Sequence, residues 1–99
     1  MNRADVISRL KAAEPALRAR GVAALYLYGS YAHDEAREDS DVDILVDFEP
    51  GRGLGLSNFL APFETLEERF PETEIGFSTR DSIVPIYLPY IEQSAIRIF

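Results

Sequence analysis

The strongest constraint on the fold is the pattern of two short apolar segments, Val22–Tyr28 and Val42–Phe48. In the first segment the leucines would share one face of a strand and the tyrosines the other, because successive side chains of a strand point to opposite faces. Large side chains on both faces are typical of a strand that is covered on both sides. The two segments therefore predict two β-strands within a compact domain that also contains helices.

A Gly-Ser pair and a pair of aspartates lie where these segments end and begin. Gly29 and Ser30 follow the first strand directly, and after ten intervening residues Asp41 and Asp43 open the second. Asp41 and Asp43 are two apart, so they project from the same face of a strand, where two carboxylates repel each other. Such a pair is tolerable when it holds a hard cation, and Mg²⁺ commonly takes one or two carboxylates together with the phosphates of its substrate.

The Gly-Ser pair supplies features that suit a phosphate group. Gly29 allows the backbone to approach a ligand closely, and the residues after it are expected to begin a short helix whose free amides favour an anion. Ser30 adds a hydroxyl donor. Together the four residues predict a site for a metal ion and a phosphate, at which the cation would arrive with a nucleotide.

Leu27–Val46 resembles the signature of the minimal nucleotidyltransferases of the DNA polymerase β-like superfamily, which is Gly-Ser, a spacer of about this length and Asp-x-Asp. Ile75–Phe99 is similar to the third strand and terminal helix of that family. The resemblance implies an α/β (α+β) nucleotidyltransferase fold, with a small mixed β-sheet of three to four strands packed with helices. We expect residues 1–99 to form a single domain.

The resemblance also implies a function. Stand-alone domains of this size resemble the antitoxin of a toxin–antitoxin pair whose toxin is an all-helical HEPN ribonuclease. Such an antitoxin would bind ATP with Mg²⁺ and transfer AMP to a tyrosine hydroxyl of the toxin. Asp41 and Asp43 would hold the metal, and Gly29 and Ser30 would position the phosphates. The alternative is a catalytically degenerate relative that neutralises its partner by binding alone.

The alternative arises because a third acid is missing. Enzymes that resemble this chain use a third carboxylate on a later strand, which bridges a metal and helps to deprotonate the attacking hydroxyl. Aligning Ile75–Thr79 with that strand places Gly76 at this position. Glu74 would share the same face but lie about 6.5 to 7 Å away along the strand, and a bulge at Gly76 could bring it closer. We expect the general base to be lost, with Glu74 as the remaining candidate.

Three other polar features are given structural interpretations. His33 and Asp34 stand where the family commonly has Arg-Gly, and His33 is expected to be an exposed residue on a short helix. Asp47 would lie about 13 Å beyond Asp43, too far to share its metal. The glycine-rich run at 51–55 lacks the spacing of a dinucleotide fingerprint and the lysine of a P-loop, so it predicts a turn.

Composition excludes several classes of protein. Lys and Arg total 10 against 17 Asp and Glu, and the formal charge of -7 would repel a long nucleic acid, which argues against a polymerase. There is no cysteine for disulfides or zinc, and no apolar stretch resembles a signal peptide or a membrane span, so a cytoplasmic location is expected. A small-molecule adenylyltransferase is disfavoured because the helical domain of such enzymes is missing.

Helical periodicity and capping residues predict the remaining elements. Residues 3–20 should form a helix with a capping box at Asn2 and Asp5, a break near Ala13 caused by Pro15, and an end at Gly21. Further predictions are a helix from Ser57 or Asn58 to Phe70, a strand at Glu74–Ser78 and a helix at Ile83–Glu92.

The end of the chain is rich in apolar residues. A domain of 99 residues buries only roughly two thirds of its unfolded surface, so a partner is expected to complete the acceptor site. A partner or a second copy of the chain is expected to dock where apolar residues stay exposed. The candidates for this surface are Ile86, Tyr87, Tyr90, Ile91, Ile96, Ile98 and Phe99.

Overall fold

Both strands expected from the apolar segments are present as neighbours in one sheet. The computed structural model describes residues 1–51 and 56–99, so most of the glycine-rich run at 51–55 lies outside the described residues. The sheet has the order β3-β2-β1-β4, with β1 antiparallel to β2 and β4 and with β2 parallel to β3. Its strands are β1 (Val22–Tyr28), β2 (Val42–Phe48), β3 (Ile75–Thr79) and β4 (Ile96–Arg97). The predicted α/β fold with a small mixed sheet is confirmed.

Five α-helices and a 3₁₀ turn at Arg80–Ser82 complete the described part of the chain. The capping box of the first helix is present, since Asn2 Oδ1 accepts a hydrogen bond from the Asp5 amide at 2.8 Å. The predicted break also occurs at Ala13, with Pro15 in the first turn of the second helix, where its missing N–H costs nothing. The helices are α1 (Arg3–Ala12), α2 (Glu14–Ala19), α3 (Gly29–Ala32), α4 (Leu56–Arg69) and α5 (Leu88–Ser94).

The hydrophobic core lies between one face of the sheet and the helices α1, α2 and α4. The leucines of β1 and alternate residues of β2 face this core, as the alternation predicts, and burying each large aliphatic side chain contributes about 1.5–3 kcal/mol. Phe59 and Phe63 extend the core by packing edge-on against Phe77, at centroid distances of 5.0 and 5.8 Å. The large side chains of this core that are less than 2% exposed are Val6, Leu10, Leu17, Val22, Leu25, Leu27, Val42, Ile44, Val46, Leu66 and Phe70.

The opposite face of the sheet carries the aspartates of β2 and the tyrosines of β1. Arg80 follows β3 and donates to Asp47 from Nε at 3.0 Å and to Glu92 of α5 at 2.5 Å. Its guanidinium also lies 5.4 Å from the centre of the Tyr26 ring. Arg80 therefore ties β2, β1 and α5 together, and Asp47 is a polar residue near the strand end, as predicted.

Three predicted boundaries are wrong. The helix α4 begins at Leu56 and contains Pro62, because burial of its apolar face offsets the hydrogen bond that proline removes. The strand β3 begins at Ile75, so Glu74 immediately precedes it. The last helix begins at Leu88 rather than Ile83. Proline is favoured in a first turn and disfavoured in an interior, so Pro89 starts this helix and 83–87 stay irregular.

The apolar end of the chain is divided between core and surface. Ile98 is buried at 8% exposure and packs in the core, so it is not part of the surface that stays exposed for docking. Ile91, Ile96 and Phe99 are half-buried. The residues that stay exposed, at 57–71%, are Val84, Ile86, Tyr87 and Tyr90, here called the 84–90 surface. In the parts of the chain that the structure describes, no helix is long and apolar enough to cross a membrane.

Candidate active site

Asp43 lies at the centre of the candidate site. It is half-buried on β2 and stands opposite Tyr28 of β1 on one side and Gly76 of β3 on the other. The parallel pairing of β2 with β3 therefore brings together two residues that are 33 positions apart in the sequence. Asp43 and Gly76 consequently lie side by side in one site, at the position that the alignment of Ile75–Thr79 assigns to the third acid.

The Gly-Ser turn lies directly against the Asp43 carboxylate. A Cβ atom built on Gly29 would fall 2.3 Å from Asp43 Oδ2, which is closer than Cβ atoms come to any neighbour. Gly29 also has a φ of +75°, a conformation that L side chains rarely adopt. The positive φ favours glycine here whatever the space, and a side chain would also displace the Asp43 carboxylate, so the acid and the turn touch without an intervening side chain.

Gly76 contacts the other oxygen of the same carboxylate. A Cβ atom at Gly76 would lie 2.6 Å from Asp43 Oδ1. The Asp43 carboxylate therefore lies between two glycine α-carbons, Gly29 on the β1 side and Gly76 on the β3 side. This arrangement is here called the glycine cradle. The sequence identifies Gly76 only as the residue that replaces an acid, and no sequence signal indicates the glycine cradle.

Asp41 completes the acidic pair. It is exposed and immediately precedes β2. Burial raises the pKa of the Asp43 carboxyl, and the nearby Asp41 carboxylate raises that pKa further. Two carboxylates close enough to repel each other would attract a divalent cation, because the cation relieves both the repulsion and the desolvation.

Ser30 follows Gly29 in the short helix α3. It is half-buried, and its hydroxyl makes no hydrogen bond with the residues that the structure describes. The first amides of α3 have no partner within the helix and add donors beside this hydroxyl. Ser30 is therefore available to bind an anion close to Asp43.

The residues after Ser30 have structural roles. Tyr31 is buried at 2% exposure and packs in the core. His33 is exposed and closes α3 through its amide, which donates to the Gly29 carbonyl at 3.1 Å. Asp34 has a φ of +59°, the left-handed conformation that glycine adopts most easily. Asp34 thus keeps the backbone turn at the position where the family commonly has glycine.

Glu74 lies at the edge of the site. It is exposed, and its carbonyl accepts a hydrogen bond from the Val42 amide at 3.0 Å. Among the described residues, no group of three or more His, Cys, Asp or Glu side chains is placed to hold one metal ion. Glu74 therefore does not join Asp41 and Asp43 as a third ligand, and its role as a base stays a prediction.

An open cleft of about 490 Å³, here called the acidic cleft, is lined in part by Asp41 of the acidic pair. Thr73 anchors one wall by donating from its hydroxyl to the Ser40 carbonyl at 3.0 Å, and Glu72 forms an ion pair with Arg9 of α1. Asp41 and Glu74 both line this cleft, although the sequence did not indicate that they share one. Its lining residues are Glu38, Asp39, Asp41, Pro71, Glu72, Thr73 and Glu74.

Comparison with known proteins identifies the family. A family model described as the nucleotidyltransferase domain matches residues 10–98. The chain belongs to the nucleotidyltransferase domain family. A relative from Methanocaldococcus jannaschii, named as the candidate protein adenylyltransferase MJ0435, is 36% identical over 84 residues, which are 85% of this chain and 87% of that protein. The protein adenylyltransferase MntA of Thermococcus cleftensis is 54% identical over 46 residues, which are 46% of each chain.

Solved structures of nucleotidyltransferases share the fold. A structure described as a candidate minimal nucleotidyltransferase superposes with a TM-score of 0.81 at 28% identity, covering 97% of this chain and 95% of that chain. A toxin–antitoxin crystal structure with AMP-PNP superposes with a TM-score of 0.67 at 17% identity, covering 100% of this chain and 73% of that chain. The second likeness is one of fold alone. The resemblance seen in Leu27–Val46 is confirmed as membership of this family.

The donor set of this nucleotidyltransferase domain fits a magnesium ion. Asp41 and Asp43 offer carboxylate oxygens, the hard ligands that Mg²⁺ prefers, and Mg²⁺ commonly takes its remaining ligands from water and substrate phosphate. The glycine cradle leaves the Asp43 oxygens free of covering side chains on both flanks. The carboxylate pair therefore has the ligand chemistry of a site for a hard cation.

Proposed function

We propose that this protein is a Mg²⁺-dependent nucleotidyltransferase that transfers AMP from ATP to a hydroxyl group of a HEPN-type toxin and thereby acts as its antitoxin. The observation that carries the proposal is the contact between Gly29 and Asp43, with Asp41 beside them. This contact supports the proposal, because the Gly-Ser turn would supply donors for phosphate next to acids that would hold a metal. The relatives named as protein adenylyltransferases support the choice of reaction.

The proposed reaction is a displacement at the α-phosphorus of ATP. An acceptor hydroxyl oxygen forms a bond to the α-phosphorus of ATP, the bond to the bridging oxygen breaks, and pyrophosphate leaves with that oxygen. The hydroxyl proton passes to water or to a carboxylate, of which Glu74 is the candidate in this chain. Magnesium held by Asp41 and Asp43 would supply charge stabilisation for the phosphates.

The turn on the β1 side of Asp43 is proposed to bind the phosphates. Gly29 and the first amides of α3 would hold the β- and γ-phosphates, and Ser30 would add its hydroxyl. In-line transfer requires the acceptor to approach from the side opposite to the leaving pyrophosphate. Since Gly29 lies on the β1 side of Asp43 and Gly76 on its β3 side, we propose that the acceptor approaches from the side of Gly76.

The toxin is proposed to dock on the 84–90 surface. Four large apolar side chains are exposed within seven residues, which is more than the scattered exposure usual for a monomer. The toxin–antitoxin structure that shares this fold supports the choice of a toxin as partner. A second copy of this chain is the competing occupant of the surface.

Transfer of radiolabelled AMP to a co-expressed HEPN-type partner tests the proposal. We expect label from α-labelled ATP on the partner, dependent on Mg²⁺ and abolished by Asp43→Ala. Asp81→Ala, which removes an exposed aspartate outside the site, should leave labelling unchanged. If the partner is neutralised without label and Asp43→Ala still neutralises it, the protein acts by binding alone and the proposed reaction is wrong.

A further inference from the structure

Glycine at position 76 is not required by the backbone. Gly76 is absent from the glycines with positive φ, so its conformation is open to any L-residue. It lies inside β3, where glycine is disfavoured because it adds flexibility and no packing. The reason for a glycine must therefore come from what its missing side chain would touch.

The atom that a side chain at position 76 would touch first is an oxygen of Asp43. The built Cβ lies 2.6 Å from Asp43 Oδ1 but 3.7 Å from the Asp43 backbone. A methyl group at position 76 would thus clash with the end of a side chain rather than with the sheet. The strand can accept the methyl group only if the Asp43 carboxylate turns away.

We propose that Gly76 is a positioning residue, whose missing side chain allows the Asp43 carboxylate to extend from the Gly-Ser turn to β3. The inference rests on the proposed function, because it concerns how Asp43 is presented to the metal and the nucleotide. It also changes how the absence of an acid at position 76 is interpreted. An acid at position 76 and the observed placement of Asp43 exclude each other, so this site is built around two carboxylates rather than being damaged by the loss of a third.

Two substitutions distinguish positioning from simple loss of an acid. Gly76→Ala should fold normally, because alanine fits the strand, yet we expect it to weaken MgATP binding at least tenfold in calorimetry with the full chain. Gly76→Asp should weaken MgATP binding as well. Binding of MgATP by Gly76→Ala at the wild-type affinity would overturn the inference, since it would show that a methyl group at this position does not disturb Asp43. Tighter binding by Gly76→Asp would also overturn it, since it would show that the site can use a third metal ligand there.

Controls separate this effect from general damage to β3. Ser78 is two residues along on the same face of the strand, and Ser78→Ala should leave MgATP affinity unchanged. In a double-mutant cycle, Gly76→Ala should have no further effect once Asp43→Asn is present, because the acid that it displaces is already gone. Additive losses in the cycle would contradict a role that acts through Asp43.

A direct readout keeps the inference distinct from the proposed function. The carboxyl ¹³C resonance of Asp43 should shift in Gly76→Ala and stay in place in Ser78→Ala, whether or not nucleotide is present. If the wild-type protein fails to bind MgATP but this resonance shifts as expected, the proposed function fails and the positioning role stands. If the resonance does not move in Gly76→Ala, the positioning role is wrong.

Discussion

The carboxylate of Asp43 has several features that lower stability and that a purely structural aspartate would not combine. It is half-buried, lies near a second carboxylate, and fits only because two glycines leave room for it. Each of these features destabilises the charged form or the backbone unless a cation binds. Acids and glycines arranged at the expense of stability are typical of functional sites.

Replacing Asp43 with asparagine should stabilise the protein in the absence of metal. Because burial and Asp41 raise the pKa of Asp43 in the folded state, the folded protein binds a proton more readily than the unfolded chain. The free energy of unfolding of the wild type therefore decreases as pH rises from the unfolded pKa through the folded one. Asp43→Asn should raise Tm at pH 7, and this gain should vanish below the ordinary aspartate range.

Thermal melts in a magnesium-free buffer between pH 3 and pH 8 measure this difference. Asp39→Asn, which removes an exposed aspartate of the neighbouring loop, serves as the control and should give a much smaller gain in Tm at pH 7. Equal gains for the two variants would show that relief of the net negative charge, rather than the environment of Asp43, is responsible.

Gly29 and Gly51 form a matched pair for testing the cradle. Both have positive φ, at +75° and +84°, but a Cβ at Gly51 would meet nothing within 4 Å. Alanine at either position should cost about 1–2 kcal/mol of stability through backbone strain. Only Gly29→Ala should also lose MgATP binding, because only there does the methyl group displace Asp43. Chemical denaturation and calorimetry on both variants measure the two effects separately.

Among the elements, α1 is the one whose local sequence specifies it most completely. Asn2 and Asp5 form a reciprocal capping box, in which Asn2 accepts from the Asp5 amide and Asp5 accepts from the Asn2 amide. These contacts involve residues three apart, so they are available as soon as the helix forms. The break at Ala13 has an equally local cause in Pro15.

Removing the cap of α1 should lower stability without affecting the site. Asn2→Ala should cost about 1 kcal/mol, the usual value for loss of an N-cap side chain. Because α1 contributes Val6 and Leu10 to the core but no residue to the glycine cradle, MgATP affinity should not change. Urea denaturation checks the first expectation and calorimetry the second. Asn2→Asp, which retains a capping oxygen, should keep stability near that of the wild type.

The assembled chain presents two different surfaces. The site lies near the start of β2 and β3, and the 84–90 surface follows the end of β3 beyond Arg80. The acidic cleft carries charge, whereas the 84–90 surface is apolar. The two surfaces thus lie towards opposite ends of the parallel strands β2 and β3, and a partner that covers the apolar surface must extend along the sheet for one of its side chains to reach the site.

A lysine in the 84–90 surface should weaken partner binding and leave the fold intact. Ile86 is 69% exposed, so Ile86→Lys should change stability by no more than about 0.5 kcal/mol. We expect at least a tenfold loss of affinity for the co-expressed toxin, measured by calorimetry. Ala12→Lys adds the same charge at an exposed position of α1 and should bind normally. Sedimentation of the chain alone tests whether a second copy occupies this surface instead of a toxin. In that case the wild type would be a dimer and Ile86→Lys would be a monomer.

Much of this protein follows from residues that are close together in the sequence. Strand alternation predicted β1 and β2, the capping box and Pro15 predicted α1 and the break after it, and the Gly-Ser and Asp-x-Asp spacing predicted the family. These features depend on periodicity and on contacts within a few residues, which is why they can be read directly. The starts of α4 and α5 differ from the predicted ones because packing and proline position, rather than helical periodicity, determine where those helices begin.

The pairing of distant segments determined the contacts of Asp43, Ile98 and Arg80. The parallel register of β2 and β3 sets Gly76 against Asp43, and the pairing of β4 with β1 draws Ile98 into the core. Arg80 likewise reaches Asp47 and Glu92 only in the folded chain. Such contacts depend on register and side-chain fit across the sheet, which no local pattern encodes. The sequence thus supplied the acids and the turn, and the tertiary structure determined that a single carboxylate lies between two glycines.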